Sequence, residues 1–214
     1  MDLESHLQEE DLDGILPPGS KINISALKEK YQVSLAPLRE ALSRLATTGL
    51  LVSQPNVGFS VAPVSEEELL NLYETSAHLE SLALSQTLKK GDEAWEEEII
   101  SSLYQLEKVE LSKKRPSYEV WSGANTRFHD ALIGCASDIV KELRASLHLK
   151  MARYVRIAFG KAIPHLKEFH KEHQALAQAL LKRDQKLADK LMSQHISRGR
   201  DLLLAKLKEE KREL

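Results

Sequence analysis

The chain has 214 residues and a net charge of −2, and its 42% hydrophobic and 29% charged residues predict a folded core. This composition excludes bulk disorder and a protein that coats nucleic acid along its whole surface. A single cysteine, Cys135, excludes an internal disulfide framework, and no apolar run is long enough to cross a bilayer. The acidic N-terminus lacks the pattern of a secretory signal, so we expect a cytoplasmic protein with no membrane contact.

The charge is unevenly distributed along the chain. Residues 1–19 carry six acidic side chains and no Lys or Arg. Residues 20–64 carry two acidic side chains against five basic ones, which are Lys21, Lys28, Lys30, Arg39 and Arg44. A local positive patch of this kind favours contact with DNA through one segment of the chain.

The first 64 residues predict three helices followed by a β-hairpin. The first helix is expected at residues 3–12, ending near Gly14, and the second at residues 25–31. The third, LAPLREALSRLATTG, is capped by Ser34 and ends at Gly49. LLVSQ and GFSVA then predict two strands joined by residues 55–57. This order is typical of a winged helix-turn-helix, whose second paired helix enters the major groove of DNA.

From residue 65 the pattern becomes long and helical. Ser65-Glu-Glu-Glu68 is a capping-box signature, in which the serine oxygen accepts from the Glu68 amide and Glu68 reaches back. Six helices are expected, at about residues 65–88, 93–112, 117–135, 138–159, 164–182 and 185–209. We therefore predict a mainly α protein, with a winged helix-turn-helix domain at 1–64 and an all-α antiparallel helical bundle at 65–214.

Two sets of residues resemble a known family. The segment from Ile22 to Ser65, with PLREAL followed by Arg44-Leu45, Gly49-Leu50 and Gly58, resembles the DNA-binding domain of the GntR family. The bundle resembles the ligand-binding FCD domain of the FadR subfamily, in its six-helix VanR-like branch. The residues that carry this second resemblance are Phe128-His129, Glu172-His173, Asp184, Ala188 and His195-Ile196.

The resemblance implies a function. Such regulators are homodimers that bind a palindromic operator on double-stranded DNA, often as repressors. Their operator affinity is controlled by a small organic acid bound in the helical domain near a metal. Three positions depart from the family pattern: Leu35 and Val57 stand where basic DNA contacts are usual, and Ser76 stands where an inward arginine is usual.

Arginine suits contact with DNA because its planar guanidinium pairs with guanine edges or phosphates. Arg39 and Arg44 are the main basic candidates left on the third helix, although either could be an ordinary surface arginine. The predicted DNA-binding residues are Ser34, Pro37, Arg39, Arg44, Lys28 and Gly58.

Histidines on apolar helix stripes predict a metal site. Asn125 and His129 lie one turn apart, and His173 and His195 lie on two other apolar stripes. Imidazole nitrogens with an oxygen donor bind Zn, Ni, Fe or Mn. Because these positions match those of the family, the resemblance implies a divalent transition metal at these four residues. The alternative is three hydrogen-bonded core histidines.

The ligand is expected to contact inward polar residues near that site. Ser76 and Glu80 share an apolar stripe, and Arg153 and Tyr154 could meet a carboxylate. His170 is the likeliest of the remaining histidines to line the site, and His78, His148 and His165 are assigned structural or solvent-facing positions.

Two other functions fit parts of the sequence. A metal-dependent enzyme could use the same Asn and His set, although no general base is placed for it and Glu172 is expected on another face. A scaffold that no longer binds DNA would explain the missing basic contacts at Leu35 and Val57. Both alternatives use the same fold.

Overall fold

A computed structural model describes residues 3–4, 6–7, 16–114, 116–159 and 163–210. Residues 3–4 and 6–7 are helical, and Leu7 is buried in the N-terminal core. The rest of the first predicted helix, and its end near Gly14, lie outside the described residues. The described chain is mainly helical with one small sheet, which confirms the predicted fold class.

From residue 16 onward, the described part of the N-terminal domain has two helices and a hairpin, at α1 Ile24–Tyr31, α2 Leu35–Thr47, β1 Leu51–Gln54 and β2 Gly58–Val61. Helix α1 begins after Asn23, whose side chain accepts a hydrogen bond from the Ala26 amide at 3.0 Å. Residues 55–57 join the antiparallel strands. Asn56 and Gly58 adopt φ angles of 62° and 110°, which asparagine and glycine tolerate better than other residues.

The apolar face of α2 forms the centre of the N-terminal core. Leu38, Leu42 and Leu45 are buried there against α1 and the hairpin. Burying each leucine contributes about 1.5–3 kcal/mol, so this face fixes the rotation of the helix. The opposite face, which includes Arg39, is consequently exposed.

Six helices follow among the described residues: α3 Glu66–Lys90, α4 Glu93–Glu110, α5 Tyr118–Leu132, α6 Asp138–Phe159, α7 Leu166–Leu181 and α8 Gln185–Glu210. All six predicted helices are confirmed. Helix α3 packs against α6 and α8, while α4 packs against α5 and α7. Within the described part of the chain, no helix combines the length with the apolar character that a bilayer span requires.

The predicted capping box of α3 is only half formed. The Ser65 hydroxyl accepts from the Glu68 amide at 3.0 Å, as expected. The Glu68 carboxylate, however, accepts a hydrogen bond from the Tyr154 hydroxyl and does not reach the Ser65 amide. That amide donates instead to the Tyr154 oxygen at 3.1 Å. A side chain from α6 therefore completes the start of α3.

Helix α6 contacts both domains. Leu149 and Ala152 pack against the N-terminal core, whereas Met151 packs inside the bundle. The Arg153 guanidinium donates to the main-chain oxygen of Ala62, in the segment that joins the domains. Helix α6 thus contributes side chains to the hydrophobic cores of both domains.

Candidate functional site

A cavity of about 190 Å³ lies inside the bundle, between α3, α5, α6 and α8. Its polar lining includes Ser76, Glu80, Asn125, His129, His148 and His195. Most other lining side chains are apolar or aromatic, among them Tyr73, Met151, Val155, Phe159, Phe169 and Leu202. Concave, mostly apolar spaces with a few converging polar groups are typical of small-molecule sites.

Three histidines from three helices converge beside this cavity: His129 of α5, His173 of α7 and His195 of α8. Their candidate ligand atoms all lie within 4.8 Å of one another. The ring centroids are between 4.9 and 5.3 Å apart. Asn125, one turn before His129, lines the same cavity. The structure therefore brings the four predicted metal ligands into one region.

The hydrogen bonding of these groups is incomplete within the described residues. Both ring nitrogens of His173 and the Asn125 Oδ1 are buried and make no hydrogen bond, although a Glu110 carboxylate oxygen lies close to His173 Nδ1. Burying polar atoms without hydrogen bonds is costly. Burial lowers the pKa of both His129 and His173 well below the usual histidine value, and the nearby His195 adds to the effect. Both rings are therefore neutral at pH 7, the form that coordinates a cation. This donor set fits a divalent metal ion.

Two carboxylates contact the outer side of the histidine cluster. Glu172 Oε2 lies 2.8 Å from His195 Nδ1. Burial opposes ionisation of Glu172, but hydrogen bonds from His195 and Arg198 outweigh it and lower its pKa. The ionised carboxylate therefore accepts from Nδ1–H, which leaves Nε2 of His195 for a ligand. Glu172 lies on another face than His173, as expected, and does not line the cavity; it reaches the cluster only through the outer nitrogen of His195.

Glu110 lies behind His173 but lacks the hydrogen-bond geometry of the Glu172–His195 pair. One of its carboxylate oxygens lies 3.0 Å from His173 Nδ1, and both side chains are fully buried. Burial raises the pKa of Glu110 to about 7. His170, 3.5 Å from the same carboxylate, lies behind the cluster and outside the cavity lining. His170 thus contacts Glu110, and its predicted contact with the ligand stays a prediction.

A buried ion cluster forms another wall of the cavity. Arg144 Nε donates to Glu80 Oε1 at 2.6 Å, and both side chains are at most 4% exposed. His148 Nε2 lies 3.2 Å from the same oxygen. Burial would raise the Glu80 pKa, but hydrogen bonding and the charges of His148 and Arg144 lower it below its usual value. Arg144 also donates to Asp130 at 2.5 Å.

The structure places Ser76 and Glu80 in the cavity, where the sequence predicts them, and adds His148 to its lining. His148 was expected to be structural or solvent-facing. Arg153 and Tyr154 do not line the cavity, because their side chains extend to the junction with the N-terminal domain. The ligand contacts predicted for these two side chains stay predictions.

The two arginines of α2 have different surroundings. Arg44 is held by two carboxylates, Glu40 at 2.7 Å and Glu4 at 3.3 Å. Arg39 is exposed and has no ion-pair partner among the described residues. Arg39 is consequently the arginine of α2 that is available for a DNA phosphate or base.

The other predicted DNA contacts lie on the same domain. Ser34, Pro37 and Lys28 are exposed, and Gly58 begins the second strand of the hairpin. Ser34 stands at the N-cap position of α2, as predicted, although its side chain makes no capping hydrogen bond there. Two apolar side chains share this surface: Leu35, which is 42% exposed, and Val57, which is 54% exposed.

A winged helix-turn-helix joined to a helical bundle of this kind is the architecture of a transcription regulator. Residues 2–61 match the family described as bacterial regulatory proteins, gntR family. Residues 71–198 match the FCD domain family. The chain therefore belongs to the GntR family and carries an FCD domain.

Individual relatives agree with this assignment. The chain is 31% identical over 195 residues to the HTH-type transcriptional repressor GlaR of Escherichia coli (strain K12), with 89% of each chain covered. It is 34% identical over 194 residues to the HTH-type transcriptional regulator BphR of Paraburkholderia xenovorans (strain LB400), covering 89% of this chain and 79% of BphR. The solved structure of E. coli McbR/YncC shares its fold, with a TM-score of 0.78 at 21% identity over 94% of this chain and 95% of that one. The families and relatives are transcription regulators rather than enzymes.

Proposed function

We propose that this protein is a transcriptional repressor whose operator affinity is controlled by a small carboxylic acid bound beside a divalent metal ion. The observation that carries the proposal is the convergence of His129, His173 and His195 on a cavity, in a chain that also has a DNA-binding domain. The name of the relative GlaR, a repressor, supports the direction of control.

The side chains have separate tasks in the sensing site. His129, His173, His195 and Asn125 would hold a Zn, Ni, Fe or Mn ion, whose charge would attract the carboxylate of the effector. Glu172 fixes the orientation of the His195 ring through its hydrogen bond. The apolar lining keeps water from competing for the bound acid.

On the DNA side, we propose that Arg39 contacts a guanine edge or a phosphate in the major groove. Ser34, Pro37 and Lys28 would lie along the phosphate backbone, and Gly58 would let the hairpin approach the minor groove. Arg44 is a weaker candidate because Glu40 and Glu4 already hold its guanidinium.

We further propose that the protein is a homodimer on a palindromic operator, since helix-turn-helix dimers read two half-sites with two-fold symmetry. Large apolar side chains exposed on α3 and α6 support a partner surface on the bundle. They include Leu82, Ile139 and Leu143, which are 48%, 71% and 55% exposed. Sedimentation should give twice the chain mass, and titration should saturate at two chains per palindromic duplex.

The DNA-binding part is tested on an operator selected from a random duplex library. Fluorescence anisotropy should show sequence-selective binding that weakens steeply as the salt concentration rises. Arg39→Ala should weaken operator binding about tenfold or more. Arg44→Ala is the matched control and should have a smaller effect because Arg44 is already paired. Binding without sequence selectivity would refute the proposal.

The sensing part is tested by a thermal-shift screen of small carboxylic acids with protein loaded with Zn, Ni, Fe or Mn. An effector should stabilise the metal-loaded protein and should change its anisotropy titration with the operator. Chelator treatment should remove both responses. Equal stabilisation with and without chelator would contradict a metal-assisted site, whereas turnover of the acid would favour an enzyme.

A further inference from the structure

Helix α6 lies between the cavity and the DNA-binding domain. Met151, Ala152 and Val155 of this helix line the cavity. Leu149 and Ala152 pack against the hydrophobic core that surrounds α2. Ala152 therefore belongs to both surfaces, and a group that occupies the cavity beside it contacts a residue that also packs against the N-terminal core.

Polar contacts connect the same stretch of α6 to the segment between the hairpin and α3. The Arg153 guanidinium donates a hydrogen bond to the main-chain oxygen of Ala62, directly after β2. The Tyr154 hydroxyl accepts from the Ser65 amide at 3.1 Å and donates to the Glu68 carboxylate at 2.5 Å. Two side chains of α6 thus hold the chain where it passes from the hairpin into the bundle.

A third contact reaches the end of α2, the helix predicted to enter the major groove. Gly49 follows α2 with a φ of 80°, and a Cβ at this position would lie 2.8 Å from the Lys150 Cε. The Lys150 side chain of α6 therefore lies against the turn between α2 and β1. Residues of α6 that contact the DNA-binding domain consequently alternate with residues that line the cavity.

The spacing of these residues favours mechanical coupling. Residues 149–155 span two turns of the helix, or about 10 Å. An α-helix moves as a unit because each turn is hydrogen-bonded to the next. Packed interfaces also shift between discrete arrangements rather than deforming continuously. A shift of α6 that accommodates an occupant of the cavity must therefore also move the contacts that hold the DNA-binding domain.

We propose that α6 transmits occupancy of the cavity to the DNA-binding domain, with Ala152 and Arg153 as the residues that connect the two. This inference rests on the proposed function, because it concerns how an effector in that cavity changes operator affinity. Ala152 receives the contact of the occupant, and Arg153 passes the shift to Ala62 through its hydrogen bond. Arg153 is a positioning residue, since its side chain does not line the cavity.

The test replaces the effector by a covalent group of known position. Val155→Cys, in a full chain that also carries Cys135→Ala, is modified with benzyl methanethiosulfonate, which attaches a benzyl group to the cavity wall through a disulfide. Val155 lines the cavity and packs within the bundle. Operator affinity is measured by fluorescence anisotropy with chelator present, so that metal binding does not contribute. It should change at least about fivefold on modification.

Two controls distinguish transmission from a local disturbance. Ser146→Cys, exposed on the same helix, carries the same group outside the cavity and should leave operator affinity unchanged. Arg153→Met removes the hydrogen bond to Ala62 and should abolish most of the effect of modification at Val155→Cys, whereas Arg153→Lys retains a donor and should keep part of it. A purely structural role of Arg153 would change the affinities of the modified and unmodified proteins equally and leave their ratio unchanged.

The outcomes that contradict the inference are specific. An unchanged operator affinity after confirmed modification of Val155→Cys, an equal effect at Ser146→Cys, or the same ratio with Arg153→Met would overturn it. If modification of Val155→Cys unfolds the bundle, as circular dichroism would show, Met151→Cys offers a second attachment point on the same wall. A chain that selects no operator would refute the DNA-binding proposal, and this inference would fall with it.

Discussion

Replacing Arg144 by methionine should destabilise the bundle strongly, because it leaves Glu80 as a buried charge with one weak partner. Glu80 is 3% exposed, and its Oε2 has no hydrogen-bond partner even with Arg144 in place. After the substitution, His148 at 3.2 Å is the one charged partner of Glu80 that remains among the residues the structure describes. Breaking a buried pair from one side costs about 3–5 kcal/mol. Asp130 is 58% exposed, so its pair with Arg144 contributes little of this cost.

The loss can be measured by urea unfolding followed by tryptophan fluorescence. Both tryptophans of the chain, Trp95 and Trp121, lie in the bundle, so the signal reports this domain. Chelator should be present throughout, so that metal affinity does not enter the free energy of unfolding. The double variant Glu80→Leu with Arg144→Met removes both charges and should recover most of the lost stability.

The pH dependence gives a second check. In the native protein the Glu80 pKa is lowered. The pair therefore stabilises the fold above the unfolded-state pKa, and this contribution is lost as the pH falls through the folded-state pKa. In Arg144→Met, the guanidinium no longer counteracts the effect of burial, so burial should raise the Glu80 pKa. The difference between wild type and Arg144→Met in the free energy of unfolding should thus be largest at pH 7 and should shrink toward pH 5. A loss below about 1 kcal/mol, or a double variant no more stable than the single one, would refute the reasoning.

Three further changes probe other parts of the molecule. Glu110→Gln should weaken metal binding about 10- to 100-fold in a chelator competition, because Glu110 contacts the metal-binding histidine His173. The control Glu107→Gln changes a half-exposed carboxylate and should have little effect on metal affinity. Equal losses of affinity in the two variants would contradict a role for the Glu110 contact. Gly91→Ala should lower the free energy of unfolding by about 1–3 kcal/mol, because the added Cβ would lie 2.4 Å from the buried Trp95 ring. An unchanged midpoint of urea unfolding would show that the ring moves away without cost. Leu35, exposed at the start of α2, should contact the methyl group of a thymine in the operator. Replacing that thymine by deoxyuridine should weaken operator binding by the wild type several-fold and should not weaken binding by Leu35→Ala. A deoxyuridine scan of the operator that finds no such position would exclude this contact.

The helices could be predicted because their signals are local. The six bundle helices follow from apolar periodicity and caps, and the structure has each of them. The same periodicity places His129 and His173 on inward faces, and both are buried. A resemblance to a known family added that these faces belong to one site, which periodicity alone does not state.

The contacts between helices could not be predicted in the same way. Glu110, Glu172 and Arg144 each meet a partner on another helix, and that pairing depends on how far the helices are rotated and shifted along their axes. Tyr154 shows a related difficulty. It is buried as expected of an inward residue, but its hydroxyl extends toward the first turn of α3 rather than into the cavity. The direction of a side chain along a helix is not visible in sequence spacing.

The position of α6 affects how this protein can be divided. A fragment that ends near residue 64 would lack Leu149 and Ala152, which complete the core around α2. A fragment that begins there would expose the same two side chains to water and would leave Arg153 without the Ala62 oxygen. We therefore expect either half, expressed by itself, to be less stable than it is in the full chain. Exchange of the DNA-binding domain between relatives should succeed only when the surface of α6 is exchanged with it.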